Sequence, residues 1–447
     1  MRKFGIESTT DSPKKIVYIT AGAAGMFCGS CMRDNALVTQ LKKTGGYDVT
    51  LLPLYTPIRT DEPDVSVDQI FFGGINVFLQ QKIPLFRHLP RFLDRWLDNP
   101  KLVKRVASRG MSVNAKDLGS LTLSMVQGTH GHQKKEVIRL VEWLRDEAKP
   151  DLICLTNLLV GGCIPTLKEE LPDVPILVTL QGDDVFLDEL IEPWREKILH
   201  EMKSLAALAD GFITFSEFYR DRVAPMFEIP LEKFHLTSLG ADLHDFNNVE
   251  SERKTDGNTI GYFARICPEK GFDLMISAFL DLAKRAGFEN TRLKVGGYLG
   301  EKDRAFFETQ IARIEEAGLS DHFEYIGSPE LDGKLDFFKS IDVFSVPARF
   351  VEPKGIYAIE AMASGIPIVA PDRGTFPEML SASGGGLIFP TENVSALADT
   401  ICNLLTDKSR AAEIAESGRA WAFEKADRTA MALTTGVVFE KFLHPRK

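Results

Sequence analysis

Short apolar runs alternate with longer amphipathic stretches along most of the chain. Runs of about four to eight apolar residues bounded by Gly, Pro or Asp predict buried strands, and the stretches between them predict helices. This alternation is typical of an α/β fold in which helices cover both faces of parallel sheets. The predicted strands lie near residues 15–20, 47–54, 151–155, 176–180, 209–216, 234–239, 258–264, 292–295, 322–326, 342–346, 367–370 and 386–389.

A polar stretch separates two series of these elements. Residues 247–257 are rich in Asn, Glu, Ser, Lys and Arg, which is typical of a linker between domains. We therefore expect one α/β domain over residues 1–246 and a second over residues 258–426, followed by a last helix within residues 427–447. The two series share no sequence repeat, so any likeness between them is architectural.

Composition and charge narrow the class of protein. The chain is 44% hydrophobic and 26% charged, which is ordinary for a soluble globular protein. Its formal net charge of −10 argues against a nucleic-acid partner, because phosphate binding draws on an excess of Lys and Arg. No apolar run approaches the roughly 18 residues of a membrane span, and the first residues lack the apolar core of a signal peptide. We expect a cytoplasmic protein whose six scattered cysteines are reduced.

Residues 79–109 differ from the rest of the first half. Apolar side chains recur there at helical spacing, and between Leu79 and Arg105 seven Lys or Arg residues stand against two Asp. A basic amphipathic helix can lie on a membrane surface, so peripheral membrane contact is one interpretation. A helix pair that lines a cleft or faces the core, broken by prolines, is the interpretation we favour.

The most informative stretch is residues 350–370. Glu352 and Glu360 lie eight residues apart around a Pro-Lys-Gly turn, and the residues that follow the turn are rich in helix formers. If a helix begins near Lys354, its first N–H groups and its dipole favour a phosphate, while the carboxylates accept hydrogen bonds from hydroxyls. The pattern fits a receptor for a sugar nucleotide. A buried βα unit with one dipole-paired and one solvated glutamate is the alternative.

Two loops carry candidate phosphate-binding groups. Arg265 and Lys270 follow the first strand of the second series, and ligands in open α/β sheets bind outside the carboxyl ends of strands. A diphosphate leaving group needs such positive charge, although two solvated surface cations would give the same pattern. In the first series, Gly22 and Gly25 could let the backbone approach a phosphate. Their spacing is not the G-x-G-x-x-G of dinucleotide oxidoreductases.

Weaker candidates follow other predicted elements. Cys28 and Cys31 lie where a helix begins, which permits a redox or metal role, but a single Cys-x-x-Cys is weak evidence for zinc and we expect a structural role. Asp183 follows a predicted strand at the edge that faces the same crevice. His130 is a further polar candidate, with a surface histidine as the alternative.

These motifs together resemble the retaining glycosyltransferases of family 4. The resemblance covers most of the chain and includes the opening glycine loop, the loop with Arg265 and Lys270, and an E-x7-E pattern from Glu352 to Glu360. It implies the GT-B architecture, in which two Rossmann-like, doubly wound α/β domains face a central cleft. It also implies that the last helix packs back on the first domain.

The resemblance assigns a role to each motif residue. It places Glu352 on the donor sugar, Glu360 on the ribose, and Arg265 with Lys270 on the diphosphate. The catalytic candidates are Glu352, Arg265, Lys270 and Asp183. The donor-binding candidates are Gly25, Arg265, Lys270, Glu352, Lys354, Gly355, Ile356, Tyr357 and Glu360, with Gln181 and His130 on the sugar side.

The implied reaction is transfer of a sugar, with retained anomeric configuration, from a UDP- or GDP-sugar to an acceptor hydroxyl. The acceptor is a saccharide, a lipid or a small molecule, and neither an essential metal nor a permanently bound cofactor is expected. Many family members carry a histidine near the donor sugar where this chain has Gln181, which can donate a hydrogen bond but cannot act as an acid or base. A nucleotide-sugar-binding protein without transfer activity, or a GT-B epimerase or phosphorylase, therefore stays an alternative.

Overall fold

The computed structural model describes residues 12–22, 28–60, 62–72, 77, 79–81, 83, 85–86, 115–255 and 258–443. Gly25 and most of the segment 79–109 lie outside the described residues. Within the described part, the strands form two parallel sheets of six strands each. The expected α/β class with two doubly wound halves is confirmed.

All strands lie close to the predicted positions. The first sheet has the order β2-β1-β3-β4-β5-β6 and the second has the order β12-β11-β10-β7-β8-β9. The first sheet contains β1 (Lys14–Thr20), β2 (Tyr47–Pro53), β3 (Leu152–Leu155), β4 (Ile176–Thr179), β5 (Gly211–Thr214) and β6 (Phe234–Leu236). The second contains β7 (Thr259–Phe263), β8 (Arg292–Gly296), β9 (Phe323–Tyr325), β10 (Val343–Ser345), β11 (Ile368–Pro371) and β12 (Gly386–Phe389).

Helices connect successive strands and cover the two sheets. In the first half they are α1 (Gly29–Thr44), α2 (Ala115–Val126), α3 (Lys134–Trp143), α4 (Ile164–Glu170), α5 (Asp183–Asp188), α6 (Trp194–Leu208) and α7 (Glu217–Phe227). In the second half they are α8 (Phe272–Leu282), α9 (Arg304–Glu316), α10 (Leu331–Lys339), α11 (Ile356–Ala363), α12 (Phe376–Ser383), α13 (Val394–Thr406), α14 (Lys408–Lys425) and α15 (Arg428–Phe442).

Both sheets reverse their strand order at one point, and these points position the site. In the second sheet the order runs outward in both directions from the neighbouring strands β7 and β10. In the first sheet the same reversal lies between β1 and β3, and a parallel bridge from Leu51 to Ser66 extends the β2 edge. Ligands of open α/β sheets bind where the order reverses, because the loops there diverge and leave a crevice.

The last helix, α15, belongs to the core of the first domain. Met431 and Phe439 are buried in the same apolar cluster as Ile16 and Tyr18 of β1. Burial of one such side chain stabilises the packed state by about 1.5–3 kcal/mol. The chain reaches α15 through a parallel bridge between Ala241 and Asp427, so its two crossings between the domains lie side by side.

Two local features differ in detail from the sequence expectations. Helix α11 begins at Ile356 rather than near Lys354, because Gly355 has a left-handed backbone with φ of 71° and caps the helix. The described part of the predicted linker, residues 247–255, packs on the second domain: Val249 is buried and Arg253 donates to the carbonyl of Ile341 at 2.9 Å. Among the helices of the described residues, none combines the length and hydropathy that crossing a bilayer requires.

Candidate active site

A cavity of about 1060 Å³ lies between the two domains, at the carboxyl ends of both sheets. Its second-domain side includes Arg265, which follows β7, and Glu360 of α11. Its first-domain side includes Gly22, after β1, and Cys28, before α1. Pockets for single small ligands range from about 300 to 1,000 Å³, so this cavity is as large as the largest of them.

Glu352 lies in the loop between β10 and α11 and is 6% exposed. Its Oε2 accepts from the ammonium of Lys270 at 2.8 Å and from the hydroxyl of Tyr357 at 3.1 Å. Burial opposes ionisation of Glu352. The charge and hydrogen bond of Lys270, the charge of Lys354 and the hydrogen bond from Tyr357 together outweigh burial and keep the pKa of the carboxyl below its usual value. The buried site therefore holds a carboxylate paired with an ammonium.

Lys270 is fixed by more than its carboxylate partner. Its ammonium lies 4.4 Å from the ring centre of Phe350 and 4.8 Å from that of Tyr357, which are cation–π distances. Neither Lys270 nor Glu352 is among the described residues on the cavity wall, whereas Tyr357 is. The pair is thus connected to the cavity through Tyr357.

Glu360 has its own lysine, which the sequence analysis missed. Lys334 of α10 donates to Glu360 Oε1 at 2.9 Å, and both side chains are largely buried yet line the cavity. No spacing in the sequence relates the two, because β10 and its loops separate them. Their contact follows from the packing of α10 beside α11.

Arg265 is the most accessible of the predicted cations. Its side chain is 40% exposed on the cavity wall, with Nη2 3.8 Å from Glu269 Oε2 and Nε 3.3 Å from Cys267 Sγ. Neither contact is a strong ion pair, because the carboxylate is distant and the thiol is a weak acceptor. Arg265 can therefore turn toward an anion in the cavity at little cost.

The start of α11 presents backbone donors near these side chains. The N–H groups of Ile356 and Tyr357, which line the cavity, are the first two of the helix and so have no acceptor within it. The N–H of Gly355 instead donates to Glu352 Oε1 at 3.2 Å. A Cβ at Gly355 would lie 2.9 Å from the Phe376 ring, so the turn needs glycine for space as well as for φ.

Lys354 connects the two domains. Its ammonium donates to Ser30 Oγ at 2.5 Å and to Gln181 Oε1 at 3.4 Å, both on the first domain. Burial lowers the pKa of Lys354, and the nearby Cys28 and Glu352 oppose that shift. Lys354 was expected from the sequence to bind the sugar donor, and no sequence pattern identified Ser30 as its partner.

Gln181 belongs to a buried network of the first domain. It is 4% exposed, and its Nε2 donates to the carbonyl of Thr156 at 3.0 Å and to its hydroxyl at 2.8 Å. Thr156 in turn donates to Asp34 Oδ2 at 2.6 Å, which also accepts from Thr20 at 2.9 Å. The network holds the Gln181 carbonyl oxygen toward Lys354.

The other sequence candidates lie elsewhere. Both Asp183 oxygens accept backbone N–H groups, from Leu158 at 2.7 Å and Gln181 at 3.3 Å, and burial raises the pKa of Asp183 to about 7. That arrangement ties two loops together beneath the cavity. His130 is exposed in the turn Gly128–His130 and is absent from the described cavity wall.

The glycine loop is described in part. Gly22 has φ of 87°, and a Cβ there would lie 2.0 Å from the carbonyl oxygen of Thr56, so close chain packing requires this glycine. Gly25 lies outside the described residues.

Cys28 and Cys31 are free thiols at the start of α1, the first on the cavity wall and the second buried. A hydrogen bond from Cys31 lowers the pKa of Cys28 to about 5, with a further contribution from Lys354, although burial opposes the shift. No cluster of three His, Cys, Asp or Glu side chains suited to a metal occurs in the described part of the chain. The free Cys28 thiol, whose pKa is lowered, thus lies beside the interdomain lysine.

The family model and the curated relatives that match this chain are all glycosyltransferases. The model of the family described as Glycosyl transferases group 1 matches residues 244–421, which is less than half of the chain. The GDP-mannose-dependent alpha-(1-6)-phosphatidylinositol monomannoside mannosyltransferase of Mycobacterium tuberculosis is 27% identical over 234 residues, covering 48% of this chain and 59% of that protein. The lipopolysaccharide core biosynthesis mannosyltransferase LpsB of Rhizobium meliloti is 29% identical over 163 residues, which are 36% of this chain and 45% of LpsB. The chain thus spans about half the length of these relatives.

Solved structures match over nearly the whole chain. Sucrose-phosphate synthase of Thermosynechococcus elongatus has a TM-score of 0.69 at 17% identity and covers 96% of this chain and 98% of its own. Anabaena HepE in complex with UDP-glucose has a TM-score of 0.64 at 16% identity, and the match covers 96% of this chain and 99% of HepE. At such identities the likeness shows the fold alone, and that fold is the two-domain GT-B arrangement.

Proposed function

We propose that the protein is a retaining glycosyltransferase that moves a sugar from a UDP- or GDP-sugar to the hydroxyl of an acceptor. The observation that carries the proposal is the composition of the cavity's second-domain wall. There Arg265, the first amides of α11 and Glu360 lie on one surface, with Lys270 and Glu352 directly behind it. Cations, helix amides and carboxylates are the groups that a diphosphate and a sugar nucleotide require.

The comparisons support the same class. The family match, residues 244–421, contains Arg265, Lys270 and both glutamates of the E-x7-E stretch. One matched relative is named as GDP-mannose-dependent, and one structural neighbour was solved with UDP-glucose. A nucleoside-diphosphate sugar is accordingly the proposed donor.

Each group has a proposed task. Arg265 and Lys270 supply positive charge for the departing diphosphate, and charge that is already in place in a dry cleft stabilises a transition state without reorganisation. The amides of Ile356 and Tyr357 bind phosphate oxygens. Glu360 accepts from ribose hydroxyls and Glu352 from the donor sugar. No essential metal is included in the proposal.

The Gln181 network favours a second candidate, a nucleotide-sugar-binding protein without transfer activity. Gln181 cannot exchange a proton, and both ends of its amide are engaged, by Thr156 and by Lys354. Both candidates predict donor binding, but only the first predicts turnover.

A donor screen separates the two. UDP-glucose, UDP-galactose, UDP-N-acetylglucosamine and GDP-mannose are titrated into the protein by calorimetry and then incubated with it while free nucleoside diphosphate is measured. A glycosyltransferase binds at least one donor and releases its diphosphate, slowly to water and faster once an acceptor is present. Arg265→Ala weakens binding of the same donor about tenfold, since one charge-assisted contact is lost. The control Arg410→Ala removes an exposed arginine of α14 and leaves binding unchanged.

The outcomes are distinct. Tight binding with no diphosphate release from any donor would favour the binding protein over the enzyme. Conversion of a donor to an epimeric nucleotide sugar without free diphosphate would contradict transfer. Unchanged affinity in Arg265→Ala would refute the assigned diphosphate contact.

A further inference from the structure

The part of the first-domain wall that α2, residues 157–160 and Phe186 form is mostly apolar. The polar side chains of this part are Thr122 and Asn157. Other elements of the first domain bring Arg33, Thr56, Arg59, Glu62, Asp242 and Asp245 to the cavity. The apolar side chains of the first-domain wall come from six separate parts of the fold and include Met32, Tyr55, Val77, Leu118, Leu121, Met125, Leu159, Val160 and Phe186. A free saccharide offers hydroxyls to every side, and the part formed by α2, residues 157–160 and Phe186 gives those hydroxyls few partners.

Helix α2 forms the longest stretch of this wall. Leu118, Leu121, Thr122 and Met125 follow the i, i+3, i+4, i+7 spacing of one helix face, and all four line the cavity. Leu118 and Leu121 are only half-buried, so part of their apolar surface is open to the cavity. The cavity face of α2 is thus apolar without being closed over by the described residues.

The other side of α2 is the one that packs on the domain. Gly119 lies directly against Trp194, and a Cβ at this position would be 2.4 Å from the indole ring. Helix α2 therefore already has its core contact, with α6. On the cavity face, Met125 belongs to the core and Leu118 and Leu121 pack against it, but part of the surface of both leucines stays open to the cavity.

We propose that the acceptor is an amphiphile, a hydroxyl-bearing head group with an alkyl or acyl chain, and that its chain binds along α2, Leu159 and Phe186. The inference rests on the proposed transfer function, because an acceptor must enter the same cavity as the donor. One continuous cavity of about 1060 Å³ joins the α2 face to Arg265 and Glu360, so a molecule on the α2 face reaches the proposed donor groups. Burial of each methylene on this face favours binding.

The probe is n-octyl β-D-glucopyranoside below its micelle concentration, titrated by calorimetry in the presence of UDP. D-Glucose has the same head group without the chain, and phenyl β-D-glucopyranoside carries an aromatic ring instead. We expect the octyl glucoside to bind at least tenfold more tightly than glucose, and also more tightly than the phenyl glucoside. Leu121→Gln weakens octyl glucoside binding about tenfold and leaves the affinity for UDP and the melting temperature unchanged.

Two further variants complete the design. Leu159→Gln alters the same wall from a different element and gives the same loss, which keeps the test valid if Leu121→Gln fails to fold. Leu433→Gln changes a leucine that is 62% exposed on α15 and leaves octyl glucoside binding unchanged.

Equal binding of glucose and octyl glucoside, or undiminished binding in both wall variants, overturns the inference. Preference for the phenyl glucoside also overturns it in favour of an aromatic acceptor. In each of these cases UDP binding and donor cleavage stay intact, so the proposed function stands. Failure of the proposed function shows instead as loss of donor binding or of diphosphate release in the unaltered protein.

Discussion

The ammonium of Lys354 lies 2.5 Å from the hydroxyl oxygen of Ser30, and this contact joins the second domain to the first across the cleft. Lys354 stands between Glu352 and the start of α11 in the chain. The contact therefore links the relative position of the two domains to the loop that carries the proposed donor groups.

We expect Ser30→Ala to favour a more open arrangement of the domains. Hydrogen bonds to charged groups contribute about 1.5–3 kcal/mol, and a buried ammonium that loses such a partner gains by moving toward water. Small-angle X-ray scattering would show a larger radius of gyration in the variant. Ser204→Ala, whose hydroxyl bonds within its own helix to His200, is the matched control. An unchanged radius in Ser30→Ala would show that this contact does not hold the domains together.

Because Lys270 and Glu352 form a buried ion pair, substitutions at the two positions should have strongly non-additive effects on the free energy of unfolding. Lys270→Met leaves a buried carboxylate without its ammonium, and breaking one partner of a buried pair costs about 3–5 kcal/mol. In urea denaturation, the free energy of unfolding should therefore fall strongly in Lys270→Met and less in the double variant that also carries Glu352→Gln. The exposed pair of Lys203 and Glu228 is the control and should show coupling below about 1 kcal/mol. Additive effects at the buried pair would contradict the prediction.

The assignment of Glu360 to the ribose predicts a change in nucleotide selectivity. The unaltered protein should bind the ribonucleotide UDP more tightly than 2′-deoxy-UDP or 3′-deoxy-UDP, because a carboxylate that loses its hydroxyl partner stays desolvated and unpaired. Glu360→Gln should reduce this preference, whereas Glu416→Gln, an exposed glutamate of α14, should preserve it. Calorimetry on all three ligands is the measurement. Identical selectivity before and after Glu360→Gln would remove Glu360 from the ribose site.

Cys28 predicts an unusual pH profile of alkylation. Since its pKa is lowered to about 5, iodoacetamide should modify Cys28 with a rate that rises through pH 5 and is level by pH 7. Cys31→Ala and Lys354→Met should each move the midpoint upward, because the first removes the hydrogen bond and the second a positive charge. Cys402, also half-buried and free, is the internal comparison in peptide mass spectrometry. A Cys28 midpoint near the ordinary thiol value would contradict the predicted thiolate.

The lowered pKa of Cys28 also makes the stability of the folded protein depend on pH. A group whose pKa is lower in the folded state stabilises that state fully above its unfolded value, about 8.5 for a thiol. This contribution falls as the pH decreases toward 5. Replacing Cys28 by Ser should flatten the dependence of unfolding free energy on pH within this interval.

The sequence predicted the strands well because buried parallel strands are short apolar runs with clear boundaries. It also placed Lys270 and Glu352 at the same crevice, although 82 positions separate them, because loops at the carboxyl ends of neighbouring strands converge. It did not predict the ion pair between them. It could not predict the partners Lys334 and Ser30. Those contacts depend on how α10 packs beside α11 and on how the domains face each other, and neither leaves a periodic signal.

Function was predicted less completely than fold for a related reason. The E-x7-E stretch is contiguous, so its chemistry can be read from one segment. The apolar wall comes from separate elements, and its α2 part has the spacing of any core-facing helix. The structure was needed to show that Gly119 and Trp194 supply the core contact on the other side.

The side-by-side domain crossings make the second domain an insertion within the first. The N–H of Ala241 donates to the carbonyl of Ala426 at 3.1 Å, and the N–H of Arg428 donates to the carbonyl of Ala241 at 2.9 Å. The two ends of the inserted unit are therefore adjacent in space although about 185 positions separate them in the chain. A short peptide joining 242 to 427 would excise the second domain and close the first domain on itself. Each domain can then be expressed on its own, because the two ends produced by the cut already lie side by side.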